Sequence, residues 1–292
     1  MRISSPTPGK TRRTTPVAPI AAAAVLALSA CAALPGGAPP DPSAAPAPGE
    51  PGSGRPGEGA SGGSGAGEVE GEGRLSGMTV VIDPGHNGGN AEAATEIAEQ
   101  VPAGPDTKEC DTVGAETDGG YPEHEFTWEL STLVRDRLEE EGAEVVLTRE
   151  DNAGVGPCVN ERAEIGNEAE ADAAVSIHAD GGPASGRGFH VIAPGVLTGY
   201  TDDIAEPSRR LARDLRAAFE DGTGQPRADY IAEEGLDERT DLGGLNLSDV
   251  PKVFLEAGNM SNPTDAANLA DPEWQATAAT AIADGIGDFL AE

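Results

Sequence analysis

The sequence predicts an α/β domain in which helices cover both faces of a central sheet. Two patterns along the chain point to this class. Short apolar runs rich in β-branched residues, typical of buried strands, alternate with longer segments whose apolar residues recur at helical spacing. A sheet built from such alternating elements buries both of its faces under helices. The pattern covers residues 76–292, which we interpret as one domain.

The first strand and the first long helix are separated by an insertion. Met78–Asp83 (MTVVID) is an apolar run that stops at a Pro-Gly pair, as a buried strand does. Residues 87–121 are rich in glycine and polar side chains, so we expect irregular structure there. Pro122–Glu141 has apolar residues at helical spacing and a glycine directly after its end, which predicts a helix.

The alternation continues through the middle of the chain. Glu144–Arg149 (EVVLTR) predicts a strand and Val159–Ala169 a short helix. Ala173–His178 (AAVSIH) and Gly188–Ala193 (GFHVIA) predict two further strands.

The last third of the chain repeats the pattern. Pro207–Asp221 places its large apolar residues on one face, which predicts a helix. Val250–Ala257 (VPKVFLEA) predicts the last strand, and helices at Pro263–Leu269 and Pro272–Ala291 complete the domain.

Composition excludes some classes of function. The 292 residues include 19 Lys and Arg against 51 Asp and Glu, a formal charge of −32. Nucleic acid is therefore not an expected partner, because phosphate backbones are bound by basic surfaces. Only ten residues are aromatic, which argues against a carbohydrate-binding module built on stacking platforms.

The N-terminal segment predicts export and a membrane anchor. Residues 1–30 combine a basic start with the apolar run Val17–Ala30, whose 14 residues are fewer than the roughly 20 that cross a bilayer. The run ends in Leu-Ser-Ala before Cys31, which resembles a bacterial lipobox with a lipidated cysteine. The alternative is an ordinary signal peptide followed by an incidental cysteine. Residues 31–75, rich in Ala, Pro and Gly, are expected to form a disordered tether. We therefore expect an extracytoplasmic, lipid-anchored protein.

The two remaining cysteines form a candidate disulfide. With Cys31 assigned to lipid, Cys110 and Cys158 are left as a pair in an oxidising compartment. The alternatives are two free thiols, or a metal site, for which the usual CxxC spacing is missing.

Polar residues at strand ends predict a metal site. His86 follows the first strand, His178 ends the third, and Glu256 lies in the last. Each taken alone has an ordinary structural explanation, but in open α/β sheets ligands bind where strands end. Two imidazoles and a carboxylate would hold zinc with a fourth position open for water. The segment Glu123-His124-Glu125, at the start of a helix, offers three candidates for the third ligand.

The motifs at these positions resemble one enzyme family. They are VVIDPGHNGG (80–89), LTR (147–149), SIHAD (176–180) and LEAGNMSN (255–262), together with an acid at the head of a helix. The chain resembles the zinc-dependent N-acetylmuramoyl-L-alanine amidases, and most closely their single-domain actinobacterial members. The resemblance implies a mixed, mostly parallel sheet of about six strands.

The resemblance also implies roles for individual residues. Zinc would be held by His86, Glu123 and His178, and Glu256 would be the general acid/base. The implied reaction is hydrolysis of the amide between N-acetylmuramic acid and L-alanine in peptidoglycan, and we expect a monomer. The alternatives are a zinc peptidase that cleaves another muropeptide bond, or a non-catalytic peptidoglycan-binding lipoprotein. Asp180 and Asn259 depart from the common family residues, Asn and Phe, and bear on substrate choice.

Three further polar residues lie in these motifs. Asp83 has two equally supported interpretations, as a residue that orients a metal ligand or as one that caps its loop. Arg149 and Arg162 are interpreted as structural ion-pair partners more readily than as substrate contacts.

Overall fold

Strands and helices follow one another as predicted. The computed structural model describes residues 73–292. In this part of the chain, each of the ten predicted elements is present with ends that differ by at most two residues. The elements are β1 (Thr79–Pro84), α1 (Ala94–Ile97), β2 (Gln100–Pro102), β3 (Thr107–Glu109), α2 (Glu123–Glu140), β4 (Glu144–Leu147), α3 (Val159–Glu168), β5 (Ala173–Asp180), β6 (His190–Pro194), α4 (Ala205–Thr223), β7 (Leu236–Arg239), α5 (Gly243–Asn246), β8 (Lys252–Asn259), α6 (Pro263–Leu269) and α7 (Pro272–Leu290).

Six of the strands form one sheet in the order β4-β1-β5-β8-β6-β7. The first four are parallel to one another, β6 runs antiparallel to β8, and β7 is parallel to β6. The predicted single α/β domain with a six-stranded, mostly parallel sheet is confirmed.

The two faces of the sheet differ in character. Val80 and Ile82 of β1 belong to the main core, where they meet apolar residues of α2, α4 and α7. Val81 points to the opposite face, because side chains alternate along a strand, and joins a much smaller apolar cluster. Polar residues share that second face, among them Ser176 of β5 and Lys252 of β8.

Asp83 is the centre of a buried polar network on this second face. Its Oδ1 accepts hydrogen bonds from Thr148 Oγ1 at 2.6 Å and Arg162 Nη1 at 2.8 Å. Its Oδ2 accepts from Ser176 Oγ, and from Lys252 Nζ at 3.1 Å. Burial alone would raise the pKa of this carboxyl, but the two cations and the two hydroxyls hold it well below its usual range. Asp83 is therefore ionised at neutral pH and joins β1 to β5, β8 and α3.

The predicted irregular insertion contains regular structure, so that expectation is wrong in part. Residues 87–121 include helix α1 and an antiparallel hairpin of β2 and β3. The hairpin strands are three residues long and mostly exposed, and they lack the apolar alternation that marks a strand. Strand β7 was missed for the same reason, since its sequence LDER carries three charges at the sheet edge.

A disulfide between Cys110 and Cys158 joins the insertion to the start of α3. The bond closes a loop across 48 positions of sequence. It holds the segment after the hairpin against the helix that carries Arg162.

The N-terminal predictions fall outside the described residues. The signal peptide at 1–30, the lipidated Cys31 and nearly all of the tether precede residue 73. Leu75, within the predicted tether, is buried in the main core, so the domain begins slightly earlier than predicted. None of the helices in residues 73–292 has both the length and the apolar composition to span a bilayer.

Replacing Asp83 with Asn should destabilise the domain strongly. The variant keeps the side-chain shape but leaves two buried cations without their shared carboxylate, which costs about 3–5 kcal/mol. Asp288→Asn is the matched control, because it removes a carboxylate paired with Arg74 at the surface and should cost at most about 1 kcal/mol. Urea unfolding at neutral pH measures both. Equal losses in the two variants would contradict the proposed importance of the network.

Candidate metal centre

Three side chains from separate elements converge at one end of the sheet. Potential ligand atoms of His86, Glu123 and His178 all lie within 4.8 Å of one another. Glu123 sits between the two imidazoles, with Oε2 at 3.1 Å from His86 Nε2 and Oε1 at 3.0 Å from His178 Nδ1. The structure thus brings together the three residues that the sequence had suggested as ligands.

Local backbone structure places each of them. His86 comes two residues after β1 and has a φ of 58°, in the left-handed region that non-glycine residues rarely occupy. Glu123 is the first residue of α2, so its side chain projects from the helix start. His178 lies near the end of β5, directly opposite Glu256 of β8 in the parallel register.

Two residues of the insertion, Asp111 and Thr112, orient the ring of His86 through its Nδ1. Its Nδ1 lies 3.2 Å from Asp111 Oδ1 and 3.0 Å from the carbonyl oxygen of Thr112. With Nδ1 engaged in this way, Nε2 faces Glu123 and is the atom available to a metal. Arg162 Nη2 lies 3.4 Å from Asp111 Oδ2, which connects the metal cluster to the Asp83 network.

The electrostatics of the cluster suit a bound cation. Burial lowers the pKa of His86, but the carboxylates of Glu123 and Asp111 outweigh it and raise that pKa to about 10. The two histidines in turn hold the pKa of Glu123 well below its usual range, against the opposing effect of burial. The carboxylates that favour a proton on His86 would also favour a metal ion that displaces this proton.

The donor set and the available space also fit a metal ion. Two imidazoles and one carboxylate, all at least partly buried, are a set that divalent transition metals accept. Gly114 keeps the approach open: a Cβ there would lie 2.8 Å from His86 Cδ2 and 2.9 Å from Glu123 Oε2.

Glu256 lies beside the three-residue cluster. It lines a cavity of about 320 Å³ together with His86, Glu123 and His178. Burial raises its pKa well above the usual range, and the nearby carboxylates of Glu123 and Asp180 raise it further. A carboxyl with a raised pKa can hold a proton near neutral pH, which a general acid/base requires.

The other candidates from the sequence have structural contacts. His124 turns away from the cluster, with its Nδ1 at 3.1 Å from Asn152 Oδ1, and Glu125 is exposed. Asn259 is buried and donates hydrogen bonds to the carbonyls of Pro183 and Gly186, so its side chain holds the loop after β5.

Both arginines have structural contacts, but the predicted ion pair is present only for Arg162 among the described residues. Arg149 donates to the carbonyl oxygens of Pro84 and Asp151. Arg162 donates to those of Pro84 and His86, as well as to Asp83. Asp83 has no direct contact with the three-residue cluster and acts on it through Arg162.

Comparison with known proteins identifies the family. Residues 80–288 match the family model described as N-acetylmuramoyl-L-alanine amidase. The chain belongs to this amidase family. An amidase of Mycobacterium tuberculosis, Rv3717, is 44% identical over 218 residues, which are 74% of this chain and 88% of that protein.

Solved structures of two amidases agree with the fold. Ami1 of Mycobacterium smegmatis matches 74% of this chain and 98% of its own, with a TM-score of 0.70 and 43% identity. The apo form of Ami1 from Mycobacterium abscessus also has a TM-score of 0.70, with 45% identity over 74% of this chain and all of its own. The resemblance inferred from the motifs is confirmed, and the protein is an amidase.

Substituting Gly114 with Ala should disturb the amidase site specifically. Gly114 and Gly120 both have positive φ, 86° and 82°, so alanine at either should cost about 1 kcal/mol of stability. Only the Gly114→Ala methyl group meets His86 and Glu123, whereas a Cβ at Gly120 meets nothing within 4 Å. We expect Gly114→Ala to lose at least about tenfold in amide hydrolysis, since small displacements of reacting groups are costly. The comparison fails if both variants hydrolyse the amide at the same rate.

Proposed function

We propose that this amidase is zinc-dependent and hydrolyses the bond between N-acetylmuramic acid and L-alanine in peptidoglycan. The observation that carries the proposal is the cluster of His86, Glu123 and His178 with Glu256 on the same cavity. The named activity of the relatives supports the choice of bond.

His86, Glu123 and His178 would hold the zinc ion. Asp111 fixes the ring of His86 so that Nε2 faces Glu123 and would be available to the ion, and the carboxylate of Glu123 lies between the two imidazoles. Zinc, when bound, lowers the pKa of a water molecule and polarises the carbonyl of the substrate amide.

Glu256 would move the proton. An amide resists hydrolysis because the nucleophile is weak and the leaving amine must be protonated. Glu256 takes the proton of the attacking water and passes it to the leaving nitrogen, roles that need a carboxyl with a raised pKa.

Product analysis tests the choice of bond. A defined muropeptide is digested and its products are identified by mass spectrometry. Free N-acetylmuramic acid and a peptide with a free L-alanine amine are expected. Products cut only within the peptide would replace the amidase assignment with a peptidase, and no products would favour a binding protein.

Zinc should be lost when His178 is replaced by Ala. The parent protein is expected to hold one zinc per chain after dialysis, measured by elemental mass spectrometry, because three protein ligands retain the ion. His178→Ala should lose both zinc and hydrolysis. His124→Ala, a histidine directly beside Glu123 but turned toward Asn152, should keep both. Full zinc occupancy in the His178 variant would show that the ligand assignment is wrong.

Glu256→Gln should retain zinc but lose turnover by at least about 100-fold, the usual scale for a general acid/base. Glutamine keeps the size of the side chain but cannot accept and return the proton. Glu125→Gln is the control, since Glu125 is exposed on α2 and should have no effect. Near-normal hydrolysis by the Glu256 variant would remove this residue from the mechanism.

We also propose that the enzyme works outside the cytoplasm on a lipid anchor at Cys31. This proposal rests on the sequence of the first 31 residues, which has a basic start and a short apolar run followed directly by Cys31. A diacylglyceryl group would hold the protein at the membrane, facing the cell wall.

A further inference from the structure

Arg239 brings a positive charge into the cavity of the metal cluster. It is the last residue of the edge strand β7, and it lines the cavity of about 320 Å³ together with His178 and Glu256. Arg239 is not among the candidate metal ligands. Its charge lowers the pKa of Glu256, and its place on the cavity also allows a direct contact with substrate.

The surroundings of Arg239 are otherwise acidic. The whole chain carries a formal charge of −32, and the other charged side chains on this cavity include Glu123, Asp180 and Glu256. Among the described residues that line it, Arg239 is the single lysine or arginine. A ligand group that pairs with it there would be negatively charged.

Arg239 already has a carboxylate partner, Asp241. Nε and Nη2 donate to the two carboxylate oxygens of Asp241 at 2.9 and 2.8 Å. Asp241 also accepts from Lys108 Nζ of the β2–β3 hairpin at 3.2 Å. The side chains of Arg239, Asp241 and Lys108 are 36%, 51% and 45% exposed, so solvent screens these ion pairs and a substrate carboxylate can reach Arg239.

Lys108, Arg239 and Asp241 together carry one net positive charge, within surroundings that also include Asp237 and Glu256. Two cations share one carboxylate, and none of the described residues accepts a hydrogen bond from Arg239 Nη1. A planar guanidinium with an unused donor is suited to a second carboxylate.

Substrate chemistry indicates where that carboxylate comes from. The lactyl carboxyl of N-acetylmuramic acid is consumed in the scissile amide, so the sugar side carries no acid. The stem peptide does carry acids: its second residue, D-glutamate linked through the γ-carboxyl, has a free α-carboxylate unless it is amidated to isoglutamine.

We propose that Arg239 binds the α-carboxylate of the second stem-peptide residue and makes the enzyme prefer acidic over amidated muropeptides. The inference rests on the proposed function, since it assumes cleavage before L-alanine. Arg239 thereby fixes the direction of the substrate, with the peptide extending from the metal cluster toward β7.

A matched pair of substrates tests this role. N-acetylmuramoyl-L-Ala-D-Glu and N-acetylmuramoyl-L-Ala-D-isoGln differ only in a carboxylate against an amide. The parent enzyme should show a kcat/KM at least about tenfold higher for the acid, with the difference mainly in KM, as expected for a charge-assisted contact. Arg239→Gln should make the two kcat/KM values equal, and Arg239→Lys should keep part of the preference.

Arg209→Gln is the control variant. Arg209 forms a similar two-bond pair with Glu238, the neighbouring residue of β7, at 2.7 and 3.0 Å, and neither residue lines this cavity. Its loss should leave the preference as it is in the parent, whereas Asp241→Asn should enlarge the preference by removing the competing carboxylate.

The outcomes separate the two proposals. If the parent cleaves neither substrate, the proposed function fails and the inference fails with it. If the parent cleaves both with equal kcat/KM, or if Arg239→Gln keeps the preference, the inference alone is overturned. An equal loss on both substrates in Arg239→Gln would overturn the inference and assign the residue a role in folding or in setting the pKa of Glu256.

Discussion

The buried carboxylate of Asp83 is the interaction on which the site depends. An ionised group without solvent must be matched by charge and hydrogen bonds, and Asp83 is matched by Arg162 and Lys252 together. Arg162 also donates to the carbonyl oxygens of Pro84 and His86. One guanidinium therefore fixes the path of the chain that turns out of β1 into the first metal ligand. The left-handed backbone of His86 is held by contacts of this kind, since the sequence alone would not favour it.

The two faces of the sheet differ in composition, and the Asp83 network accounts for the polar one. Large apolar side chains under α2, α4 and α7 form the main core, and that face supplies most of the hydrophobic stabilisation. The opposite face has a small apolar cluster and carries Asp83, Ser176 and Lys252. The buried charges on this second face are paired, since Asp83 is matched by Arg162 and Lys252. This face can therefore carry polar residues without burying an unmatched ion. His178 and Glu256 lie on the face that contributes least to the apolar core, and Glu123 reaches them from the start of α2.

Much of this arrangement could be predicted from the sequence. Apolar β-branched runs identify the buried strands, and the polar residues that interrupt them at His178 and Glu256 stand out for that reason. The choice of Glu123 as third ligand needed the family resemblance. Which of the three adjacent polar residues points to the cluster depends on where the helix begins, and the sequence pattern does not fix that residue. Lys252 gave a signal that was not used: a lysine inside an apolar strand requires a buried acid. Asp111 gave a weaker one, as its contact with His86 depends on how the insertion folds back.

Strand β7 shows that a charged edge strand is not recognised from its sequence pattern and can still place a side chain on the cavity. Its four residues include three with charges, so no apolar alternation marks it, yet pairing with β6 places Arg239 on the cavity. The overall charge of −32 would repel an acidic substrate at long range, but salt near physiological strength screens charges beyond about 8–10 Å. Within that distance Arg239 lines the cavity together with Asp180 and Glu256, and Asp241 pairs with Arg239. The pKa of Glu256 is raised, so this carboxyl carries less negative charge near neutral pH than a glutamate with an ordinary pKa. Under the proposal for Arg239, the local charge at the edge strand, and not the net charge of the chain, decides which muropeptides the cavity accepts.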